Sequence, residues 1–206
     1  MVLNNSLIII ISSPSGVGKT TITKKLLKKI NKSYLSVSCT TRHPRKNEIN
    51  KVDYFFISKK KFLKYKKEKK FLETAKVHNN YYGTLKSELR KQNKNNKVIL
   101  LDIDWQGARN LRRKIEKNCY SFFLLPPSIS TLKKRLFKRH LDNKSLALSR
   151  LSSARKDLKY WKEYDYVYVN DKLNKCVNEI SKKINDLLTE NINKSKFKKI
   201  IKKLYL

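Results

Sequence analysis

The sequence predicts an α/β fold in which a parallel five-stranded core sheet is flanked by helices. Runs of branched and aromatic residues recur along the chain, and amphipathic helical patterns lie between several of them. Continuous apolar strands that alternate with helices are typical of a parallel sheet covered on both faces. The length of 206 residues suits one such domain rather than two.

The predicted strands share one pattern, a run of Val, Ile, Leu, Phe or Tyr bounded by polar or turn residues. They cover residues 7–11, 34–37, 98–103, 120–125 and 166–169. The predicted helices place apolar residues three or four positions apart. They cover residues 19–30, 109–116, 129–139, 147–161 and 173–188. The core is therefore predicted to comprise residues 1–37, 85–136 and 151–190.

A segment of different composition, residues 38–84, follows the second core strand. It is rich in aromatic and polar residues, and Pro44 and Gly83 mark turns within it. Its pattern predicts a strand at 52–57 and a basic helix at 59–69. We interpret the segment as a small inserted lobe.

Two further segments depart from the core pattern. Residues 137–150 carry basic residues at both ends and are predicted to form a mobile lid. Residues 191–206 form a basic amphipathic tail. For this tail a solvated terminal helix is favoured over a membrane or RNA contact.

The chain is strongly basic, with 50 Lys and Arg against 16 Asp and Glu and a formal net charge of +34. Such a charge suggests nucleic acid or an anionic membrane as a partner. The lysines, however, are scattered through every segment and accompany abundant Asn, Ile and Tyr, residues that share A/T-rich codons. We therefore expect neither a specific nucleic-acid partner nor a membrane, and a monomer or homodimer.

Cysteine usage indicates a reducing compartment. The three cysteines, Cys39, Cys119 and Cys176, are far apart and lack the spacing of a zinc site. The apolar run at residues 7–11 is too short for a signal sequence or a membrane span. A cytoplasmic location is the expectation.

A candidate phosphate-binding loop lies between the first strand and the first helix. The stretch SPSGVGKT at residues 13–20 has glycines that let backbone N–H groups turn inward, and it opens a helix with a positive dipole end. In such a loop Lys19 would reach the β- and γ-phosphates, and the Thr20 hydroxyl would coordinate Mg²⁺. The alternative is an ordinary strand-to-helix turn with a solvated lysine. The candidate nucleotide-binding residues here are Ser13, Pro14, Ser15, Gly16, Val17, Gly18, Lys19, Thr20 and Thr21.

A pair of arginines in the inserted lobe suits a second phosphate. Arg42 and Arg45 are three residues apart in SCTTRHPR, in a chain that otherwise favours Lys. Planar guanidinium groups donate two hydrogen bonds to a phosphate, which an ammonium group does less well. Tyr54 and Tyr82 are candidates to add phenol hydroxyls, with packing of a small aromatic core as the alternative.

These motifs together make the chain resemble the bacterial guanylate kinases. The matching segments are SSPSGVGKTT, SVSCTTRHPR, VDYFFIS, FLETAKVHNNYYGT, LLDIDWQGAR, FFLLPPS and YDYVYVND, and they follow that family's order from about residue 7 to residue 188. The resemblance implies a P-loop nucleoside monophosphate kinase that transfers the γ-phosphoryl group of ATP to GMP, giving ADP and GDP. It also implies Mg²⁺ as cofactor and a role in guanine nucleotide recycling.

The resemblance further assigns the acceptor site. It implies that the GMP phosphate is bound by Ser38, Arg42, Arg45, Tyr54 and Tyr82, and that guanine is recognised by Glu73, Thr84 and Asp104. Guanine presents N1–H and a 2-amino group as donors, which carboxylates accept. Adenine presents the reverse pattern on that edge and would leave these groups unpaired.

The donor side completes the assignments. The resemblance implies that arginines of the lid and its flanking helices close over the triphosphate, namely Arg135, Arg139, Arg150 and Arg155. Each also has a solvated helix position as its alternative. Asp102, at the end of the LLDID strand, is the candidate to place magnesium through water, or else a cap of the following helix. Asn170 is the candidate contact on the adenine side.

The sequence departs from the family pattern in the lid. The segment Arg139-His140-Leu141-Asp142 stands where the family usually has Arg-Gly-Thr-Asp, so the lid conformation is open. Two other classes of function remain at this point: a catalytically inactive guanylate-kinase-like interaction module and an RNA-binding protein. Inactive modules typically lose the phosphate loop or its lysine, and both are intact here.

Overall fold

The computed structural model of the protein describes residues 6–45, 48–92, 97–115, 117–139, 141 and 143–204. The strands are β1 (Leu7–Ser12), β2 (Ser33–Leu35), β3 (Cys39–Thr40), β4 (Phe55–Phe56), β5 (Phe71–Val77), β6 (Asn80–Leu85), β7 (Val98–Asp102), β8 (Cys119–Leu125) and β9 (Tyr166–Val169). The helices are α1 (Lys19–Lys29), α2 (Lys59–Lys67), α3 (Lys86–Gln92), α4 (Trp105–Arg112), α5 (Ile129–Arg139), α6 (Lys144–Asp157) and α7 (Leu173–Leu204). A 3-10 helix, Leu158–Glu163, follows α6.

A five-stranded sheet forms the core, in the order β2-β7-β1-β8-β9. Every neighbouring pair in it is parallel, and β1 lies in the centre. The predicted α/β class and the five-stranded parallel sheet are therefore confirmed. The carboxyl ends of β1 and β7 meet at one edge of the sheet, which places the loop after β1 beside Asp102.

Alternate residues of β1 pack against opposite faces of the sheet. Leu7, Ile9 and Ile11 join a cluster with apolar residues of α1, α5 and α7. Ile8 and Ile10 join a second cluster with residues of α3 and α4. All five side chains are buried, which explains why β1 is apolar throughout rather than alternating.

The inserted segment forms a second sheet, with four strands in the order β4-β3-β6-β5. Helix α2 packs on this sheet through Phe62, whose ring stacks on Phe71 at 4.5 Å and on Tyr81 at 5.4 Å. An ion pair of 2.7 Å between Lys24 of α1 and Asp53 joins this segment to the core.

Several element boundaries differ from the predictions for identifiable reasons. Helix α4 begins at Trp105 rather than at 109, because Asp104 caps it by accepting from the Gly107 N–H at 2.9 Å. Strand β4 covers only Phe55–Phe56 of the predicted 52–57, since residues 51–53 form a turn. Helix α7 continues past 188 to Leu204, so it includes most of the predicted tail.

Some predictions fall outside the described part of the chain. His140 and Asp142 of the predicted lid lie outside the described residues, as do residues 205 and 206 of the tail. Among the helices that the structure describes, none is long and apolar enough to cross a membrane.

Candidate active site

The loop between β1 and α1 has the backbone that its glycines predict. Gly16 and Gly18 have φ angles of 87° and 104°, in the left-handed region that glycine adopts without strain. Gly18 is the residue before α1, and no side chain caps the helix there. The first N–H groups of a helix lack intrahelical acceptors, so the start of α1 offers donors to an anion.

Lys19 and Asp102 form an ion pair beside this loop. The Lys19 ammonium also donates to the carbonyl of Ile103 at 3.1 Å, so its side chain lies across the end of β7. Thr20 is exposed, and its Oγ1 lies 3.5 Å from Asp102 Oδ2. Asp102 therefore does not cap α4, which was its alternative role, and Asp104 does so instead.

Two residues from other elements hold the carbonyl of Val17 in the loop. Asn170 donates to it through Nδ2 at 2.7 Å, and Arg135 donates through one guanidinium nitrogen at 3.1 Å. Arg135 also donates to the Asn170 carbonyl at 3.2 Å. These bonds connect α5, the segment after β9 and the loop, so both predicted donor-side residues contact the loop directly.

Arg42 and Arg45 converge on a residue that the sequence analysis did not single out. The Glu48 carboxylate lies 2.8 Å from an Arg42 guanidinium nitrogen and 3.2 Å from one of Arg45. The Arg45 backbone N–H also donates to it at 2.9 Å. The two guanidinium groups therefore contact the same anionic group, which is the arrangement that two arginines need in order to bind one phosphate.

Two of the predicted lid arginines join this pair. Burial lowers the pKa of Arg139, and the charges of Arg150 and Arg42 lower it further. Burial and the charge of Arg45 lower the pKa of Arg150. The Nε atoms of Arg42 and Arg150 are buried without a hydrogen-bond partner among the described residues. We call Arg42, Arg45, Arg139 and Arg150 the arginine cluster; Arg155 is exposed on α6, and none of these interactions involves it.

The two predicted tyrosines lie against the arginine cluster. The guanidinium of Arg42 is 5.5 Å from the centre of the Tyr54 ring, and the rings of Tyr54 and Tyr82 are 6.1 Å apart. Burial raises the pKa of Tyr54, and the negative charge of Asp102 adds to the shift. The phenol therefore stays protonated at neutral pH and can donate a hydrogen bond.

The predicted guanine-recognition residues form a buried chain of polar groups. Thr84 donates to Glu73 Oε1 at 2.7 Å, and the hydroxyl of Ser38 lies 3.4 Å from that of Thr84. All three side chains are buried. Ser38, which is predicted to bind the phosphate, thus lies beside Thr84 of the guanine group.

The two carboxylates of this group have raised pKa values. Burial raises the pKa of Glu73 to about 7, and the nearby charge of Asp104 adds to the shift although Thr84 opposes it. Burial also raises the pKa of Asp104. The hydrogen bonds within the protein do not fully stabilise the negative charge of these buried carboxylates. Such carboxylates are typical of a site where a ligand donates further hydrogen bonds.

Comparison with known proteins agrees with this arrangement. The family model for guanylate kinase matches residues 5–187. A guanylate kinase of Rickettsia prowazekii is 43% identical over 177 residues, covering 86% of this chain and 89% of the relative. The chain belongs to the guanylate kinase family. A guanylate kinase of Wolbachia pipientis wMel is likewise 43% identical over 184 residues, covering 89% of this chain and 92% of the relative.

A solved guanylate kinase has the same fold. The crystal structure of the enzyme from Anaplasma phagocytophilum matches with a TM-score of 0.74 at 30% sequence identity. The match covers 89% of this chain and 86% of that chain. The core sheet, the loop after β1 and the inserted segment therefore belong to a chain that resembles guanylate kinases over most of its length.

Sequence reasoning missed Glu48 and the shared role of Arg135 and Asn170. Glu48 lies three residues after Arg45, and an acid among the arginines of RHPRKNE is the one signal that pointed to it. Nothing in the sequence indicated that both residues bind the Val17 carbonyl, because each of them is more than 100 positions from Val17 in the chain.

Proposed function

We propose that the protein transfers the γ-phosphoryl group of ATP to GMP, giving ADP and GDP. The arginine cluster carries this proposal, because the guanidinium groups of Arg42 and Arg45 meet at one carboxylate and the charges of Arg139 and Arg150 act on the same pair. Such an excess of positive charge in a partly buried place favours the binding of phosphate groups. In this proposal residues 38–84 form the GMP-binding lobe and residues 137–150 the lid.

The donor triphosphate would lie along the loop of residues 13–18 and the start of α1. Its oxygens would accept from backbone N–H groups, and the Lys19 ammonium would leave Asp102 to contact the β- and γ-phosphates. The contacts of Arg135 and Asn170 with Val17 would keep the loop in its shape. This geometry supports Lys19 as the residue that places the transferred group.

The residues beside the loop fit a magnesium ion. The Thr20 hydroxyl would bind the ion directly, and the Asp102 carboxylate, whose Oδ2 lies 3.5 Å from Thr20 Oγ1, would place it through water. Among the described residues, no group of three or more His, Cys, Asp or Glu could hold a metal ion. A bound Mg²⁺ supplies neutralisation of the phosphate charge, and Thr20 and Asp102 would hold it.

The acceptor nucleotide would be selected by the buried polar chain. Glu73 and Asp104 offer acceptors to the N1–H and 2-amino donors of guanine. The Thr84 hydroxyl, which donates to Glu73 in the structure, would turn to donate to O6. AMP presents no such donors, so the carboxylates would stay buried and unpaired. With guanine bound at Glu73, Thr84 and Asp104, the phosphate of GMP would reach Arg42, Arg45, Tyr54 and Tyr82.

Transfer needs no covalent intermediate in this arrangement. The protein aligns the GMP phosphate oxygen with the γ-phosphorus, and Arg139 and Arg150 offer positive charge to the group in transit. Closure of the lid would exclude water, which otherwise competes as the acceptor.

A coupled assay of ADP release tests the proposal. ATP with GMP, AMP, CMP or UMP should give turnover with strong preference for GMP, because only guanine matches the acceptors around Glu73. Faster turnover of AMP would contradict the guanine site. Absence of turnover with all four nucleotides would contradict the enzyme assignment itself.

The pKa of Glu73 predicts how GMP binding depends on pH. Because burial raises that pKa to about 7, the carboxylate is protonated below it and loses acceptor capacity. GMP affinity should therefore increase roughly tenfold between pH 6 and pH 8, and binding should release a proton. Calorimetry in buffers of different ionisation enthalpy measures both quantities.

A variant separates this effect from the titration of the GMP phosphate. Glu73→Gln keeps the shape of the side chain but cannot ionise, so any remaining dependence on pH belongs to the phosphate or to Asp104. We expect the variant to bind GMP more weakly and with a flatter profile. An unchanged profile in Glu73→Gln would show that Glu73 is not the titrating group.

A further inference from the structure

Glu48 lies between Arg42 and Arg45, the two arginines that are predicted to bind the phosphate of GMP. Its two carboxylate oxygens together accept from Arg42 at 2.8 and 2.9 Å, from the Arg45 guanidinium at 3.2 Å and from the Arg45 backbone at 2.9 Å. The Glu48 side chain is only 16% exposed, and that of Arg42 only 12%. The contacts between Glu48 and Arg42 are therefore partly shielded from water, which strengthens hydrogen bonds between charged groups, whereas the Arg45 side chain is 41% exposed.

The charges around Glu48 are unbalanced. Its negative charge favours the charged state of Arg42, Arg45 and Arg139 alike. Burial opposes the ionisation of Glu48, but the Arg45 backbone bond and the two guanidinium groups outweigh it and lower its pKa. Glu48 is thus a carboxylate at neutral pH, and its one negative charge acts on three of the four arginines of the cluster.

We propose that Glu48 is a positioning residue for the phosphate of GMP. It holds the guanidinium groups of Arg42 and Arg45 in the fork before the substrate arrives, and their remaining N–H groups bind the phosphate. Without it, two like charges would repel each other, and each arginine would have to be ordered when GMP binds. This inference rests on the proposed function, since it takes GMP as the acceptor.

Glu48 has two opposing effects on the binding of the phosphate: it orders the arginines that bind it, and its own charge repels it. A carboxylate near an anion site also repels the anion, so removing it could strengthen phosphate binding by simple electrostatics. The contacts favour the ordering effect, because the Glu48 carboxylate accepts from the Arg45 backbone as well as from both guanidinium groups and so holds the two arginines together. An arginine that is already ordered loses less conformational entropy when its ligand binds.

Calorimetric titration of Glu48→Ala with GMP and with guanosine tests the inference. GMP should bind roughly tenfold more weakly than to the unaltered protein, whereas guanosine, which lacks the phosphate, should bind with the same affinity. Glu48→Gln keeps one acceptor oxygen and should give an intermediate loss for GMP. The matched control is Glu68→Ala, an exposed glutamate of the same segment, which should leave both affinities unchanged.

Three outcomes would overturn the inference. Unchanged or tighter GMP binding by Glu48→Ala would mean that the carboxylate only competes with the phosphate. An equal loss for guanosine would mean that Glu48 supports the segment as a whole. Equal behaviour of the Gln and Ala variants would remove the role of the acceptor oxygen. Failure of the proposed function is separate, since it would appear as absent GMP phosphorylation by the unaltered protein.

Discussion

Replacing Lys19 with alanine should lower kcat for GMP phosphorylation by roughly 10²–10³-fold. The ammonium lies at the loop beside Asp102 and is the cation expected to stabilise charge on the β- and γ-phosphates during transfer. Because this charge develops mainly in the transition state, kcat should fall more than the affinity for ATP. Steady-state kinetics with ATP varied at saturating GMP measure both effects.

The matched control for this variant is Lys28→Ala. Lys28 lies in the last turn of the same helix, α1, and is exposed, so it changes the net charge by the same amount without touching the loop. Thermal unfolding of both variants should be compared, since removal of Lys19 leaves Asp102 without its ion pair. If Lys19→Ala kept kcat within about threefold of the unaltered protein, the loop would not be the site of phosphoryl transfer.

Replacing Arg42 with alanine should raise KM for GMP by roughly 100-fold. Its guanidinium is buried at the centre of the arginine cluster, where a charged hydrogen bond is poorly replaced by water. KM for ATP should change little, because in the proposed arrangement Arg42 binds the acceptor phosphate and the donor triphosphate lies along the loop. Initial rates over a range of GMP concentrations provide the measurement.

An exposed arginine supplies the control for that variant. Arg113, just after α4, lies outside the cluster, and Arg113→Ala should leave KM for GMP unchanged. A rise in KM for ATP as large as that for GMP would contradict the assignment of Arg42 to the acceptor phosphate. So would a normal KM for GMP.

The sequence predicted the core and the loop well because both depend on local patterns. Five apolar runs that alternate with helical patterns are compatible with few arrangements other than a parallel sheet. The structure contains that sheet. Gly16 and Gly18 were predicted to turn the backbone, and both have the positive φ angles that only glycine adopts freely. These features follow from neighbouring residues alone.

Features that depend on contacts between distant segments could not be predicted. The ion pair of Asp102 with Lys19, which lies 83 positions earlier in the chain, is one such contact. Glu48 is a similar case, because its contacts with Arg42 and Arg45 depend on how the segment after β3 folds. Sequence spacing does not encode such partners.

The central claim is that two nucleotides lie end to end, with their phosphates between the loop before α1 and the arginine cluster. Calorimetric titration with adenosine and guanosine joined through five phosphates, in the presence of Mg²⁺, tests it most directly. We predict one molecule bound per chain, more tightly than either ATP or GMP, with affinity lost in both Lys19→Ala and Arg42→Ala. Binding that is unchanged in either variant, or no tighter than that of ATP alone, would contradict the claim.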